Sequence, residues 1–131
     1  MPEKSWNLIQ PADVASHHPW KVTPSDVGGP ADGYVVEKRR LRGGLSDGVD
    51  VVSVDNGRLR FDVLPTRGMN VHKAWIGDQL IGWDSPVAGP VHPSFVPLSE
   101  PSGLGWLDGF DEWIARCGLE SNGAPDFDEQ G

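Results

Sequence analysis

Three stretches of the sequence carry side chains able to hold or transform a polar ligand. In Leu64-Pro65-Thr66-Arg67-Gly68-Met69-Asn70 an apolar run ends in a turn that throws Arg67 outward, and Gly68 supplies a backbone conformation that other residues resist. The fixed fork of guanidinium donors suits a hydroxyl or a carboxylate, and the competing reading is a pairing of Arg67 with Asp62 or Asp84. The second stretch runs from Trp83 to Trp106 through His92 and Glu100, with Pro86, Pro90, Pro93, Pro97 and Pro101 along it. Prolines stiffen a loop without hydrogen bonds, and a stiff rim loses little entropy on capturing a ligand. Trp83 and Trp106 offer flat apolar faces to the C–H face of a pyranose ring, while Glu100 and Asp108 accept from its hydroxyls. The same two tryptophans would equally close the end of a core. His92 is the loop's remaining candidate for ligand contact. The third stretch sets Arg116, Glu120 and Asn122 around glycines, the donor and acceptor set of a polar-ligand loop, although Asn122-Gly123 also reads as a hairpin turn.

Other chemistries lack their signatures. The sequence has no GxxxxGK[ST], no GxGxxG after a strand, no HExxH and no GxSxG, which removes nucleotide, dinucleotide, zincin and hydrolase-elbow readings. His17 and His18 are adjacent, so an extended chain sends their rings to opposite sides, and neither a metal nor a cofactor is expected. With 11 Lys and Arg against 19 Asp and Glu the formal charge is −8, which argues against nucleic acid as a partner, since phosphate contacts need clustered positive charge. No apolar run is long enough to cross a membrane, and Met1-Pro2-Glu3-Lys4 does not open a secretory signal. A single cysteine, Cys117, forms no internal disulfide, so the expected compartment is the cytoplasm.

These side chains need elements to position them, and the composition favours strands. Seventeen glycines and 12 prolines in 131 residues, nearly twice the average share of roughly 12 %, rule out a helical bundle. Val49–Val54 and Arg58–Leu64 flank Asp55-Asn56-Gly57, which predicts a hairpin with a type I′ turn at Asn56-Gly57. In its second strand Leu59, Phe61 and Val63 share what reads as the core face, while Arg58, Arg60 and Asp62 share the wet one. Residues 69–76 and 79–83 predict a second hairpin around Gly77-Asp78, and the residues from Asp84 to Gly105 predict a long ordered loop. The stretch from Trp106 to Cys117 has three-to-four apolar spacing and predicts one short helix. Before the first hairpin, residues 1–42 read as an irregular arm whose Trp6 and Trp20 pack over the rim. Tyr34–Arg42 in that arm forms an edge strand with Lys38, Arg39, Arg40 and Arg42 facing water or a partner. One domain follows, over residues 43–131.

Strings within that domain resemble a known family. Leu64-Pro65-Thr66-Arg67-Gly68-Met69-Asn70-Val71, Ile81-Gly82-Trp83-Asp84-Ser85-Pro86, Pro97-Leu98-Ser99-Glu100, Gly109-Phe110-Asp111-Glu112 and Arg116-Cys117-Gly118-Leu119 are together similar to the mutarotase-like branch of the galactose mutarotase (aldose 1-epimerase) superfamily. The resemblance runs from about Gly43 to the last residue. It implies a mainly β protein, an antiparallel β-sandwich of the galactose mutarotase-like supersandwich type, with a hexose bound in a cleft on one sheet. It also implies about twice this chain's length, an H-G string after the Arg116 region, and a catalytic His and Glu further on. This sequence contains no H-G string. The resemblance thus implies the N-terminal share of the cleft, with Arg67 and Arg116 as hydroxyl-holding residues and no catalytic residue.

The leading expectation is a hexose-binding, aldose 1-epimerase-like segment. Its substrate-binding candidates are Arg67, Trp83, His92, Glu100, Trp106, Arg116, Glu120 and Asn122. One alternative is a complete small sugar isomerase using Glu100 or Glu120 with His72 or His92, and another is a non-catalytic protein-interaction β domain. Half of a sandwich would leave the face of Leu59, Phe61 and Val63 open, and an open face of that kind favours a homo-oligomer.

Overall fold

The computed structural model describes residues 4–8, 19–28 and 33–116. Its centre is one antiparallel sheet in which six strands follow each other in chain order: β1 (Trp20–Val22), β2 (Val35–Arg40), β3 (Asp50–Asp55), β4 (Leu59–Leu64), β5 (Asn70–Ile76) and β6 (Gln79–Ile81). The β-branched runs of β3 and β4 make the middle of this meander, as their alternation requires. The expected mainly antiparallel β architecture with one short helix is borne out, and the described residues form a single sheet layer.

The helix lies elsewhere than expected. It is α1 (Pro24–Val27), where Pro24 supplies the preset φ of a first turn and the Asp26 carboxylate accepts from both the backbone N–H (2.7 Å) and the hydroxyl (2.8 Å) of Thr23. The stretch from Trp106 is not helical. It holds a 3₁₀ turn, Gly105–Gly109, and then an extended piece in which Ile114 bridges Val71. Apolar spacing of three and four arises there from a turn followed by an extended segment, so it never closes an α-helical ladder.

The described residues of the arm before the first hairpin include two strands of the sheet. β1 takes the edge of the sheet and β2 is an internal strand, so Val35–Arg40 is not an edge. Trp6 and Trp20 meet edge to face at 5.9 Å. Lys38 and Arg40 do not face water. Asp50 accepts two hydrogen bonds from Arg40, each 2.8 Å, and lies 3.8 Å from the buried Lys38 ammonium, which donates to Leu8 O at 2.9 Å.

The β3–β4 hairpin forms with its turn shifted by one residue. Asn56 N–H donates to Leu59 O, so Gly57 and Arg58 occupy the tip, and Gly57 (φ 81°) is the residue with positive φ there. A type I′ turn needs two such residues, and the Asn56 side chain instead accepts from the N–H groups of Arg58 and Leu59. The second hairpin forms around Gly77-Asp78, with β6 ending at Ile81, short of Trp83.

Burial on β4 departs from the expected pattern at Asp62 and Leu59, while Arg58 and Arg60 are exposed as expected. Asp62 is 8 % exposed, whereas Leu59 is 37 % exposed and Phe61 and Val63 are half-buried. Alternation identifies an apolar face but does not say whether anything covers it. Here the cover is Trp6–Leu8, which walls a groove of about 470 Å³ over Val52, Val54 and Val63. The buried cluster of Val49, Val51 and Leu64, with Leu41 against it, lies at one end of the opposite face. Loops close over that end: His92 N–H donates to Leu45 O (2.7 Å) and the Ser46 hydroxyl to Pro90 O (2.6 Å).

Candidate functional site

β4 stops at Leu64 because Pro65 lacks the donor a ladder needs, and a 3₁₀ turn over Pro65–Arg67 swings the chain round. Gly68 (φ 68°) and Met69 (φ 64°) then both take left-handed backbone, and the Met69 N–H closes the turn on Leu64 O at 3.0 Å. Met69 holds that conformation at a cost of about 1–2 kcal/mol. The register of β4 against β5 slips between Asp62 and Val63, so that Val63 faces Val71 and Asp62 faces Lys73, leaving His72 as the extra residue. Such a bulge re-aims a side chain and interrupts pairing. The His72 carbonyl thereby accepts from Trp113 N–H (2.9 Å), and Val71 exchanges two hydrogen bonds with Ile114.

That docking delivers Asp111 and Glu112 into the protein, each about 1 % exposed. Glu112 accepts from Arg67 Nε, from Asn70 Nδ2 (3.2 Å) and from the Asp111 N–H (3.0 Å). Burial pushes its carboxyl upward, but the hydrogen bonds and charge of Arg67 with the Asn70 and Asp111 donors outweigh burial and hold it below its ordinary value. Arg67 spends a second nitrogen on Val91 O at 2.8 Å. A Cβ on Gly109 would meet Val96 Cγ2 and stand 3.3 Å from Arg67 Nη1, so a larger residue there would have to displace the Val96 side chain beside this arginine. On the other carboxylate, His72 Nε2–H donates to Asp111 Oδ2 (2.8 Å), while Oδ1 has no hydrogen-bond donor among the described residues and stands 3.9 Å from the Lys73 ammonium. A carboxylate on one ring nitrogen fixes the imidazole tautomer and orientation, the arrangement of a general acid–base pair.

Aromatic rings stand beside these carboxylates. Trp83 Nε1–H donates to Glu112 O (2.9 Å), and Phe110 lies between Trp83 (centroids 5.8 Å apart) and Trp106 (5.3 Å). Trp83 and Trp106 are 40 % and 45 % exposed, so both keep a ring surface open to solvent.

The structure therefore groups Arg67 and Trp83 through Glu112, and Trp106 through Phe110. Arg67 pairs with Glu112 and not with Asp62 or Asp84. Arg116 reaches the group through its backbone, whose N–H donates to Asn70 Oδ1 at 2.9 Å. His92 follows Val91 but turns away: its ring bonds Ser94 Oγ (2.7 Å) and lies against Gly48. Glu100 binds Ser102 within its own exposed loop, where the Ser102 hydroxyl and N–H hold its carboxyl below the ordinary range. Glu120 and Asn122 lie outside the described residues. The residues that sequence reasoning missed are Asn70, Asp111 and Glu112, and an acidic pair inside an apolar stretch two residues past a glycine was the available signal. Among the described residues no three His, Cys, Asp or Glu side chains are grouped to hold a metal.

Residues 46–131 match the family model described as a domain of unknown function (DUF4432). The chain belongs to the DUF4432 family. A solved structure similar to this DUF4432 chain is a protein of Klebsiella pneumoniae subsp. pneumoniae MGH 78578 described as a "putative aldose 1-epimerase", with 33 % identity and a TM-score of 0.66. The similarity covers 72 % of this chain and 25 % of the Klebsiella chain, so the chain spans about a quarter of that protein's length. The kinship with the mutarotase-like branch expected from the Arg67 and Cys117 strings is thereby borne out. No curated protein is significantly similar to the chain.

Proposed function

We propose that the chain forms one wall of a hexose-binding, aldose 1-epimerase-like cleft, and that the groups moving protons in such a reaction come from outside it. The observation that carries this reading is the joint placement of the Arg67–Glu112 pair and the open rings of Trp83 and Trp106, on a sheet that aligns at 33 % identity with the Klebsiella protein. Stacking of a pyranose on either indole changes its emission. Titration with galactose and glucose is therefore expected to shift tryptophan fluorescence, and Trp83→Phe with Trp106→Phe to abolish the shift. Fluorescence unchanged in the unmodified chain overturns the reading.

A second reading rests on the His72–Asp111 pair, which has the geometry of an acid–base dyad. In ring opening, a base takes the anomeric hydroxyl proton while an acid protonates the ring oxygen as its bond to the anomeric carbon breaks. Polarimetry on α-galactose separates the two readings. The first predicts mutarotation at the buffer rate, and the second an acceleration that His72→Ala removes.

The proposal extends to the partners and the compartment. A second copy of the chain covers the apolar face of β4 and β5, where Leu59 and Ile76 are exposed beside half-buried Phe61. Light scattering that finds a monomer overturns this part. No helix among the described residues is long and apolar enough to cross a membrane. We place the chain in the cytoplasm, and recovery of the tagged chain from a membrane or secreted fraction would contradict that placement.

A further inference from the structure

The sheet's other face carries a groove of about 550 Å³ that the Arg67 cluster does not use. That volume lies within the range of roughly 300–1,000 Å³ typical of small-molecule sites. The strand register generates it. One row across the sheet reads Lys21, Glu37, Ser53, Asp62, and the next reads Val35, Asp55, Arg60, Trp75. Short Ser53 and Asp62 make a floor less than a tenth exposed, and longer side chains rise around them.

The floor is already organised. Arg39 Nη1 donates to Ser53 Oγ (2.6 Å), Ser53 Oγ donates to Asp62 Oδ1 (2.6 Å), and Arg39 Nη2 donates to Asp62 Oδ2 (3.3 Å). Groups fixed in advance add little ordering cost when a ligand arrives. On one side the Arg60 guanidinium lies 4.1 Å from the Trp75 ring centroid, which builds a flat stacked platform. The cations Lys21, Arg39 and Arg60 are matched in number by the carboxylates Glu37, Asp55 and Asp62, so the groove's lining carries no net formal charge to favour an anion. Closely spaced donors and acceptors beside a flat face complement a ring that bears hydroxyls, each of which both donates and accepts.

We propose that this groove is a binding site for a neutral saccharide, separate from the cleft assigned above. It stands on its own residues and does not depend on that assignment.

The test is a titration of the isotope-labelled chain with maltose, with glucuronate and inorganic phosphate as anionic probes, followed by NMR signals of the six indoles and the backbone. The expected result is that maltose shifts the Trp75 indole and the Ser53 and Asp55 amides. Arg60→Ala and Asp55→Asn, both at exposed or half-exposed positions, should each weaken binding at least fivefold with circular dichroism unchanged. Maltose shifts confined to Trp83 and Trp106 would overturn the groove while supporting the cleft, and shifts at Trp75 alone would do the reverse. Binding that survives both variants, or maltose displaced by phosphate at equal concentration, overturns the proposal.

Discussion

Arginine–carboxylate pairs occur at both the closed end of the sheet and its open face, with different consequences. Arg67 and Glu112 are 12 % and 1 % exposed, enclosed by Asn70, Gly109 and the Val91 carbonyl. Arg39 meets Asp62 with the arginine 45 % exposed and the groove open above it. In the first pair, desolvation has been met by matched donors, so the pair fixes where the 110–114 segment docks. In the second, water still solvates the arginine, so the pair contributes little to stability and its donors stay within reach of a ligand. Burial, more than residue type, separates a pair that fixes a segment of the cleft wall from one whose donors stay exposed.

The largest expected break in this contrast is Glu112→Ala. It leaves the Arg67 charge without its buried counterpart, and loss of one partner of a buried pair costs about 3–5 kcal/mol, a large share of a total near 5–15 kcal/mol. Urea unfolding followed by circular dichroism is expected to show a midpoint lowered accordingly, with most of it restored in Arg67→Met/Glu112→Leu. A loss below about 1 kcal/mol would place the pair with the exposed ones.

Acid should produce a partial form of the same loss. The Glu112 carboxyl is held below its ordinary value in the folded chain, so the unfolded chain binds the proton more readily. Its contribution is complete above the ordinary glutamate range, near pH 4.5, and disappears as pH falls through the lower folded value. Asp26 and Glu100, also held low, titrate in the background. The expected signature is a wild-type urea midpoint that drops more between pH 6 and pH 3 than that of Arg67→Met/Glu112→Leu. Equal drops would remove Glu112 as the cause.

On the open face the effects shrink. Ser53→Ala deprives Asp62 Oδ1 of its donor and Arg39 Nη1 of its acceptor at a floor position, and an unsatisfied buried group costs about 1–3 kcal/mol. The same urea measurement should place it between Glu112→Ala and the wild type. A cost equal to that of Glu112→Ala would erase the distinction between floor and closed end.

The sheet was legible because period-two alternation and the turns at Gly57 and Gly77 are local signals that β3 to β6 obey. What covers each face was not local. Leu59, Phe61 and Val63 read as core although the cover over Val63 comes from outside the hairpin and Leu59 has none among the described residues, and Asp62 read as wet although it is buried and bonded to Ser53 and Arg39. The Arg67 turn was legible as a turn, with Gly68 at positive φ as expected, but its partner lies 45 residues away. The helix expected from Trp106 failed because its apolar spacing spans a 3₁₀ turn and then an extended piece that bridges Val71. For Asp111 and Glu112 the local signal was only an acidic pair set in an apolar stretch, which does not say what would enclose it. Only the bulge at His72, which opens β5 to Val71–Ile114 pairing, brings them inside.

The smallest expected stability effect sharpens the comparison most. Arg60 is exposed, and its guanidinium lies over the Trp75 ring, an interaction worth about 0.5–1 kcal/mol at such a site. Arg60→Ala should therefore move the urea midpoint by no more than that. It should still change the Trp75 environment, seen as a shift of one indole NMR signal while those of Trp83 and Trp106 stay in place. A residue that stabilises little yet organises the platform is what an open binding face requires. If instead Arg60→Ala costs as much as Glu112→Ala, the groove's charged residues hold the sheet together, and exposure is the wrong measure for separating the two regions.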